Sequence, residues 1–315
     1  MTLWTRFSCI FMYLAVITPG AHISGVRVNK NIFRDDEESH QISRDLIEYS
    51  ENQWNSIEGV LTQVSVSAHN EFVWGVNSNQ DIYCKKGIDG SLERVEGGLK
   101  QISVSADGKH VWGVAGVSGK NVFYRTGVEG SWSHMTGGLE HVSVSGDGNH
   151  VWGVADVSSG NNIYHRMGVG GEWGVFPGTL NLKQIFVSAD GNHVWGVSRS
   201  NQVFYRAGVD GSWKQISGDM KQVSVSADGK HVWGVNESDE VFYRAGVDGE
   251  WVLVTGSLKQ VSVNPDGRHV WGVDASNNIY YRKICPYVAD TTKGTVKGED
   301  GAVEHFYVKP KTGTR

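Results

Sequence analysis

An all-β fold is predicted by three features of the chain: one unit written six times, short apolar runs within each copy, and Gly-bearing turns between the runs. The copies carry FVWGV at 72–76 and HVWGV at 110–114, 150–154, 193–197, 231–235 and 269–273. Their tryptophans, Trp74, Trp112, Trp152, Trp195, Trp233 and Trp271, stand 38, 40, 43, 38 and 38 residues apart. A period near 40 residues marks a supersecondary unit repeated into an array. The 41 glycines against 5 prolines suit a chain dense in tight turns.

The fifth copy contains four strand signals separated by turns. Trp213–Ile216 reads as a first strand. In Lys221-Gln-Val-Ser-Val-Ser226 the valines alternate with polar residues, the period of a half-buried second strand. Asp228-Gly229 supplies a hairpin turn, since both residue types tolerate positive φ. His231–Val235 is the third strand, Asn236–Glu240 a polar loop, and Val241–Arg244 the fourth strand. Gly246-Val-Asp-Gly249 then leads into the next unit. Four such strands form an antiparallel meander. Six meanders with no helical pattern between them give a six-bladed β-propeller of four-stranded antiparallel blades over residues 54–283. Trp54 precedes Gln63 by nine residues, as Trp213 precedes Gln222, so its strand either completes the sixth blade or starts the first.

The flanks are of different composition. Residues 1–20 read as a secretory signal peptide, with Arg6 before the apolar run Phe7–Ile17 and a small-residue cleavage region ending at Gly20. Eleven apolar residues span about 16 Å as a helix, against roughly 30 Å of hydrocarbon, too short for an anchor. A secreted, extracellular protein is therefore expected. Residues 21–53 form a polar linker, and residues 284–315 a flexible tail rich in Thr, Lys and Gly. Cys9 would leave with the signal peptide. Cys84 and Cys285 remain, either as a disulfide clasping the ring, as separate thiols or in an intermolecular bond. Asn236-Glu237-Ser238 is an N-glycosylation sequon at Asn236. The formal net charge of −5, with no basic stripe in the sequence, argues against a nucleic-acid partner.

Several residue sets recur in register. Each VWGV tryptophan, followed by Gly, reads as packing between blades. A second aromatic set, Trp54, Trp132, Trp173, Trp213 and Trp251, follows a turn and is a candidate carbohydrate platform, with Leu92 in its place in the second unit. Arg125, Arg166, Arg206, Arg244 and Arg282, each after Tyr or His, could grip sugar hydroxyls or anions through a planar fork, or pair with the turn aspartates of adjacent blades. In the first unit Tyr83 is followed by Cys84 instead. The polar residue after VWGV, as Asn77, Ser198, Asn236 and Asp274, completes the candidate sugar contacts. The repeated histidines lie too far apart around a ring to share a metal, no Cys/His set has zinc spacing, and P-loop, GxSxG and HExxH motifs are absent from the sequence, so neither a metal nor a cofactor nor a catalytic set is expected.

The segments LKQVSVSADGKHVWGVN and FVWGVNSNQDIY, with W-x-x-I/V-x-G-x-L-K-Q ahead of them, resemble the tectonin-repeat lectins, the group of the horseshoe-crab and fish-egg lectins. The resemblance spans 54–283. It implies a propeller lectin that binds bacterial lipopolysaccharide and related surface glycans in innate immunity, through pockets repeated around the ring. The local cysteine pairs of the horseshoe-crab members are missing here. Tectonin repeats also occur in intracellular trafficking proteins, so a protein-interaction scaffold, docking through the irregular first and second units, is the alternative. A glycosidase is a distant third.

Overall fold

The structure, a computed structural model, describes residues 53–116, 121–155, 160, 162–176, 180–284, 293–297 and 303–307. The expected signal peptide, nearly all of the linker, and Cys285 lie outside the described residues.

Six four-stranded antiparallel sheets follow one another along the chain. A strand β1 (Asn55–Val60) precedes the first. Blade 1 is β2 (Gln63–Val66), β3 (Phe72–Val76), β4 (Asp81–Lys86) and β5 (Leu92–Gly98). Blade 2 is β6 (Gln101–Val104), β7 (His110–Val114), β8 (Val122–Thr126) and β9 (Ser133–Met135). Blade 3 is β10 (His141–Val144), β11 (His150–Val154), β12 (Ile163–Met167) and β13 (Gly174–Phe176). Blade 4 is β14 (Leu182–Val187), β15 (His193–Ser198), β16 (Gln202–Ala207) and β17 (Lys214–Asp219). Blade 5 is β18 (Gln222–Val225), β19 (His231–Val235), β20 (Glu240–Ala245) and β21 (Val252–Ser257). Blade 6 is β22 (Gln260–Val263), β23 (His269–Val273), β24 (Asn278–Lys283) and, as its outermost strand, β1.

The strand after each post-turn tryptophan thus belongs to the blade before the one expected. β17, at Lys214–Asp219, pairs with β16 and ends blade 4; it does not open blade 5. The reason is the turn. Gly246-Val-Asp-Gly249 folds β20 back on β21 within one sheet, and Gly246 accepts the positive φ of 64° this requires. The crossing to the next blade runs instead through segments such as Met220-Lys221. By the same logic β1 pairs with β24 and closes the ring on the sixth blade.

Pairing register also corrects the first unit. Trp74 faces Cys84 and Val73 faces Lys85, where Trp112 faces Tyr124 and Val111 faces Arg125. Cys84 therefore replaces the tyrosine, and Lys85 replaces the arginine. Cys84 is a buried free thiol in the core cluster shared by blades 1 and 2, away from the seam between blades 6 and 1. Burial pushes that thiol up to about 12.

The cores lie between blades. Each of six clusters joins the VWGV tryptophan of one blade to valines of the next, as Trp112 joins Val142, Val144 and Val151. Trp74, Trp112, Trp152, Trp195 and Trp271 are fully buried and Trp233 nearly so. Burying 150–250 Å² of aromatic surface contributes about 4–6 kcal/mol per tryptophan, as an upper bound. The glycine after each tryptophan makes room for the side chain that leads into the same blade, a leucine in five blades and Met220 in blade 5. A Cβ at Gly196 would stand 2.6 Å from Leu182 Cδ1, and one at Gly272 2.6 Å from Leu258 Cδ1.

Past the propeller, β25 (Lys293–Lys297) and β26 (Val303–Tyr307) pair in antiparallel fashion. The tail expected to lack structure therefore contains a hairpin.

Candidate functional site

The post-turn tryptophans sit at the seams between blades. Each is half-buried, and it reaches back to the preceding blade. The Nε1–H of Trp132 donates to Glu96 O at 2.9 Å, that of Trp173 to Thr136 O at 2.6 Å, that of Trp251 to Ser217 O at 2.8 Å, and that of Trp54 to Thr255 O at 2.8 Å. The acceptor in each case precedes a glycine at positive φ, Gly97, Gly137, Gly218 or Gly256, and the indole lies over that glycine. Leu92 takes the corresponding seat over Gly59 in β1. Trp213 lies beside the cluster between blades 3 and 4.

The arginines fill the space behind these indoles. Arg166, 4 % exposed, lies 5.2 Å from the ring centroids of both Trp112 and Trp173, and donates from Nε to Gly168 O at 2.9 Å and from Nη2 to Val169 O at 2.5 Å. Arg125 stands between Trp74 and Trp132 in the same manner, bonded to the carbonyls of Gly127 and Val128. Arg206 lies over Trp152, Phe176 and Trp213, and Arg244 over Trp251. Burial draws the pKa of all four below the ordinary guanidinium value. Neither of the two expected uses, a sugar grip or a pairing with turn aspartates, accounts for these contacts. The guanidiniums hold their own turns and the seam. Arg282 occupies the same register in blade 6, opposite Val270.

The polar residues after VWGV organise the turn between the second and third strands. Asn77 Oδ1 accepts from the amides of Asn79 and Asp81, and Asn236 Oδ1 from those of Ser238 and Glu240. Asn236 Nδ2 donates to Glu240 Oε2 at 2.7 Å. Asp274 accepts from Asn278 and from the Tyr280 hydroxyl, and Ser198 Oγ from the Gln202 amide. The turn aspartates act likewise at the other end of the blade, where Asp107 Oδ1 accepts from Ser105 Oγ at 2.6 Å and from the Lys109 amide.

The axis carries chemistry that the sequence did not disclose. The innermost strands do not pair by backbone; side chains join them. Gln101 exchanges two hydrogen bonds with Val142 of the next blade, and Gln63, Gln222 and Gln260 do the same with Ile102, Val261 and Val64. Two strands depart from this pattern. His141 stands where the others have Gln, and Phe186 where they have Ser. The two rings meet edge to face, 4.9 Å between centroids. One end of the axis is drawn together by backbone bonds, Ala68 N to Ala106 O at 2.9 Å, Gly146 N to Ala189 O at 2.8 Å and Ala227 N to Pro265 O at 2.8 Å. The other end opens into a cavity of about 560 Å³. Lys100, Lys183, Lys221 and Lys259 stand on its rim, each one residue before an innermost-strand Gln, with Thr62 and Glu140 at the two remaining positions. Glu140 pairs with Arg199. Burial lowers the ammonium pKa of Lys183 and Lys259. Among the described residues, no three His, Cys, Asp or Glu side chains converge to hold a metal.

No curated protein matches the chain in sequence. In structure it is similar to the β-propeller domain of Cps50 (Swd1) from Myceliophteria thermophila, with a TM-score of 0.58 at 9 % identity over 74 % of this chain and 100 % of that one, a likeness of fold alone. The Tectonin domain model matches residues 2–155, 110–248 and 154–305, and the chain belongs to the tectonin family.

Proposed function

We propose that this tectonin propeller is a secreted, multivalent lectin that binds bacterial surface glycans such as lipopolysaccharide in innate defence. One observation carries this reading: half-buried indoles recur at equivalent seams around one rigid ring. With Nε1–H spent on a neighbour's carbonyl in Trp54, Trp132, Trp173 and Trp251, the rest of each indole is apolar surface suited to the C–H face of a pyranose. Single sites of this kind bind weakly. Several on one ring gain about 10²–10⁴ in avidity on a dense glycan surface, because later contacts become intramolecular. The scaffold alternative lacks such support. Asn70 and Cys84 are buried and Leu92 is seated over Gly59, so the irregularities of the first units serve seams.

A glycan array that includes bacterial lipopolysaccharide tests the proposal. Folded protein should bind bacterial glycans on dense spots and much more weakly on sparse ones. Replacing Trp132 and Trp173 together by Phe, which retains packing, should lower dense-spot binding by at least about tenfold. Silence across the array would remove the lectin reading.

A further inference from the structure

The axial cup departs from the sixfold repeat of the molecule. Its rim has four lysines out of six positions. Its floor is Phe186, where the other five innermost strands have Ser. Beside it stand His141, only 7 % exposed, and Gln184, whose Nδ1 and Oε1 are shielded from solvent and have no hydrogen-bond partner among the described residues. The cup is closed from below by the backbone bonds at Ala68, Gly146 and Ala227.

The rim ammonium groups are only partly engaged. Lys183 donates to Asn201 Oδ1 at 2.6 Å, Lys259 to Asn277 Oδ1 and Lys221 to Asp239. An ammonium has three donors, so each of these keeps two for a ligand. Of the carboxylates nearby, Glu140 pairs with Arg199 and Asp239 with Lys221, while Glu237 accepts from Asn201 Nδ2, so among the described residues Lys100, Lys183 and Lys259 are the rim ammonium groups without an ion pair. Cations above and unpartnered acceptors below ask for one molecule with an anionic end and a hydroxyl-bearing body. A bare inorganic anion would satisfy the rim and leave the acceptors unmet. A neutral sugar would do the reverse. The volume lies within the range of roughly 300–1,000 Å³ usual for small-molecule sites.

The geometry points to a single axial site for a phosphorylated monosaccharide, with its phosphate among Lys100, Lys183, Lys221 and Lys259, its hydroxyls donating to His141 Nδ1 and Gln184 Oε1, and its C–H face on Phe186. The ligand is a hexose phosphate, free in solution or at the end of a glycan chain. The site is separate from the seams and stands whether or not they bind glycans.

Titration calorimetry on the full chain tests it, with glucose 1-phosphate, glucose and inorganic phosphate as probes. Glucose 1-phosphate should bind with one-to-one stoichiometry and at least about tenfold more tightly than either of the others. The double variant Lys183→Ala/Lys259→Ala should weaken it by at least about tenfold, as expected for losing charged hydrogen bonds. Phe186→Ser, which restores the residue of the other five strands, should weaken it too while the melting temperature shows the fold retained. A phosphomannan-coated sensor, competed by glucose 1-phosphate, distinguishes the sources: competed capture assigns the chain-borne phosphosugar, and calorimetric binding without capture assigns the free one. The proposal is overturned by no heat with glucose 1-phosphate, by equal affinity for glucose or inorganic phosphate, or by binding that neither variant alters. Failure of the array with success here would leave this site intact, since the stoichiometry reports one axial pocket.

Discussion

Arg166 shows why a residue type suited to ligand binding can be consumed by the fold. Its guanidinium is a flat, weakly hydrated cation with a fork of donors. Between two indoles and beneath the carbonyls of Gly168 and Val169, the flat cation serves the seam and Nε and Nη2 serve its own turn, while Nη1 is buried with no partner among the described residues. Charged hydrogen bonds contribute about 1.5–3 kcal/mol each and a desolvated cation–π contact up to about 2 kcal/mol. Arg166→Ala should therefore lower stability by about 2–4 kcal/mol in urea unfolding, and a loss below about 0.5 kcal/mol would show the guanidinium idle. His141 makes a second prediction at this scale. Burial, helped by Lys100, holds its pKa near 3, and burial with His150 and Arg206 holds that of His165 near 4. Both lie below the unfolded value of about 6.5. The folded chain keeps these rings neutral while the unfolded chain takes up protons. Stability is thus full above pH 6.5 and falls as the pH drops towards 4 and 3, by up to about 1.4 kcal/mol per pH unit for the fully buried His141, and by less for the half-buried His165. His141→Gln, the residue of the other strands, should flatten the acid limb of a melting-temperature profile. An unchanged limb would refute the assignment.

At the scale of the element, the seam between blades 6 and 1 is built differently from the rest. In the other five seams the buried indole Nε1 of Trp74, Trp112, Trp152, Trp195 or Trp233 has no hydrogen-bond partner among the described residues. In the closing seam Trp271 Nε1 donates to Asn70 Oδ1 at 2.9 Å. Asn70 occupies the turn position that is Gly elsewhere and adopts φ 57°, which Asn tolerates better than most residues. His69 next to it meets Asp266 of blade 6 at 2.9 Å. Asn70→Gly keeps the backbone at ease and deletes only the acceptor, so it should cost about 1–2 kcal/mol in chemical denaturation. No change would mean the bond is silent. The His69-Asn70 deviation was visible in the sequence, but its use was not, because it depends on which blade lies across the seam. The grouping of strands into blades was hidden for a similar reason. Spacing shows four strands per period, while the choice of which hairpin is internal rests on how Gly246 and its counterparts turn. Blade number and turn chemistry were legible because each depends on residues close in sequence. The lysine rim was not, since Lys100, Lys183, Lys221 and Lys259 are scattered along the chain and meet only when the ring closes. Glu140-His141 and Ile185-Phe186 marked the third and fourth units as departures; that signal could have directed attention to the axis.

At the scale of the whole molecule, stability depends on joining the two ends of the array. A propeller has no inter-blade backbone ladder, so the seams rely mainly on side chains, with single backbone bonds at one end of the axis, and an unclosed ring would leave the third strand of blade 6 as an exposed edge. β1 prevents this in two ways. It pairs with β24 through Asn55–Tyr281, Ser56–Tyr280 and Ile57–Ile279. Just ahead of it, Trp54 crosses to blade 5, packing edge to face on Trp233 at 6.4 Å and donating to Thr255 O. One short segment thus fastens blade 6 and the seam behind it. A chain beginning at Leu61 would lose the strand and the indole together. The half-buried indole alone accounts for about 2–3 kcal/mol of burial, as an upper bound, and each kcal/mol moves the melting temperature of a domain this size by about 2–4 °C. With the β1 pairing lost as well, melting should therefore fall by at least about 5–10 °C. The bared β24 should also pair with its copy in other molecules, since an unpaired strand edge is a template for association. Calorimetry and size-exclusion chromatography at rising concentration measure both effects. Adding residues 53–60 back in trans as a peptide should restore the melting temperature and the monomer, because the peptide supplies the same pairing at an entropic cost that high concentration offsets. A truncated chain that melts unchanged and remains monomeric would show that the ring is held without this strand.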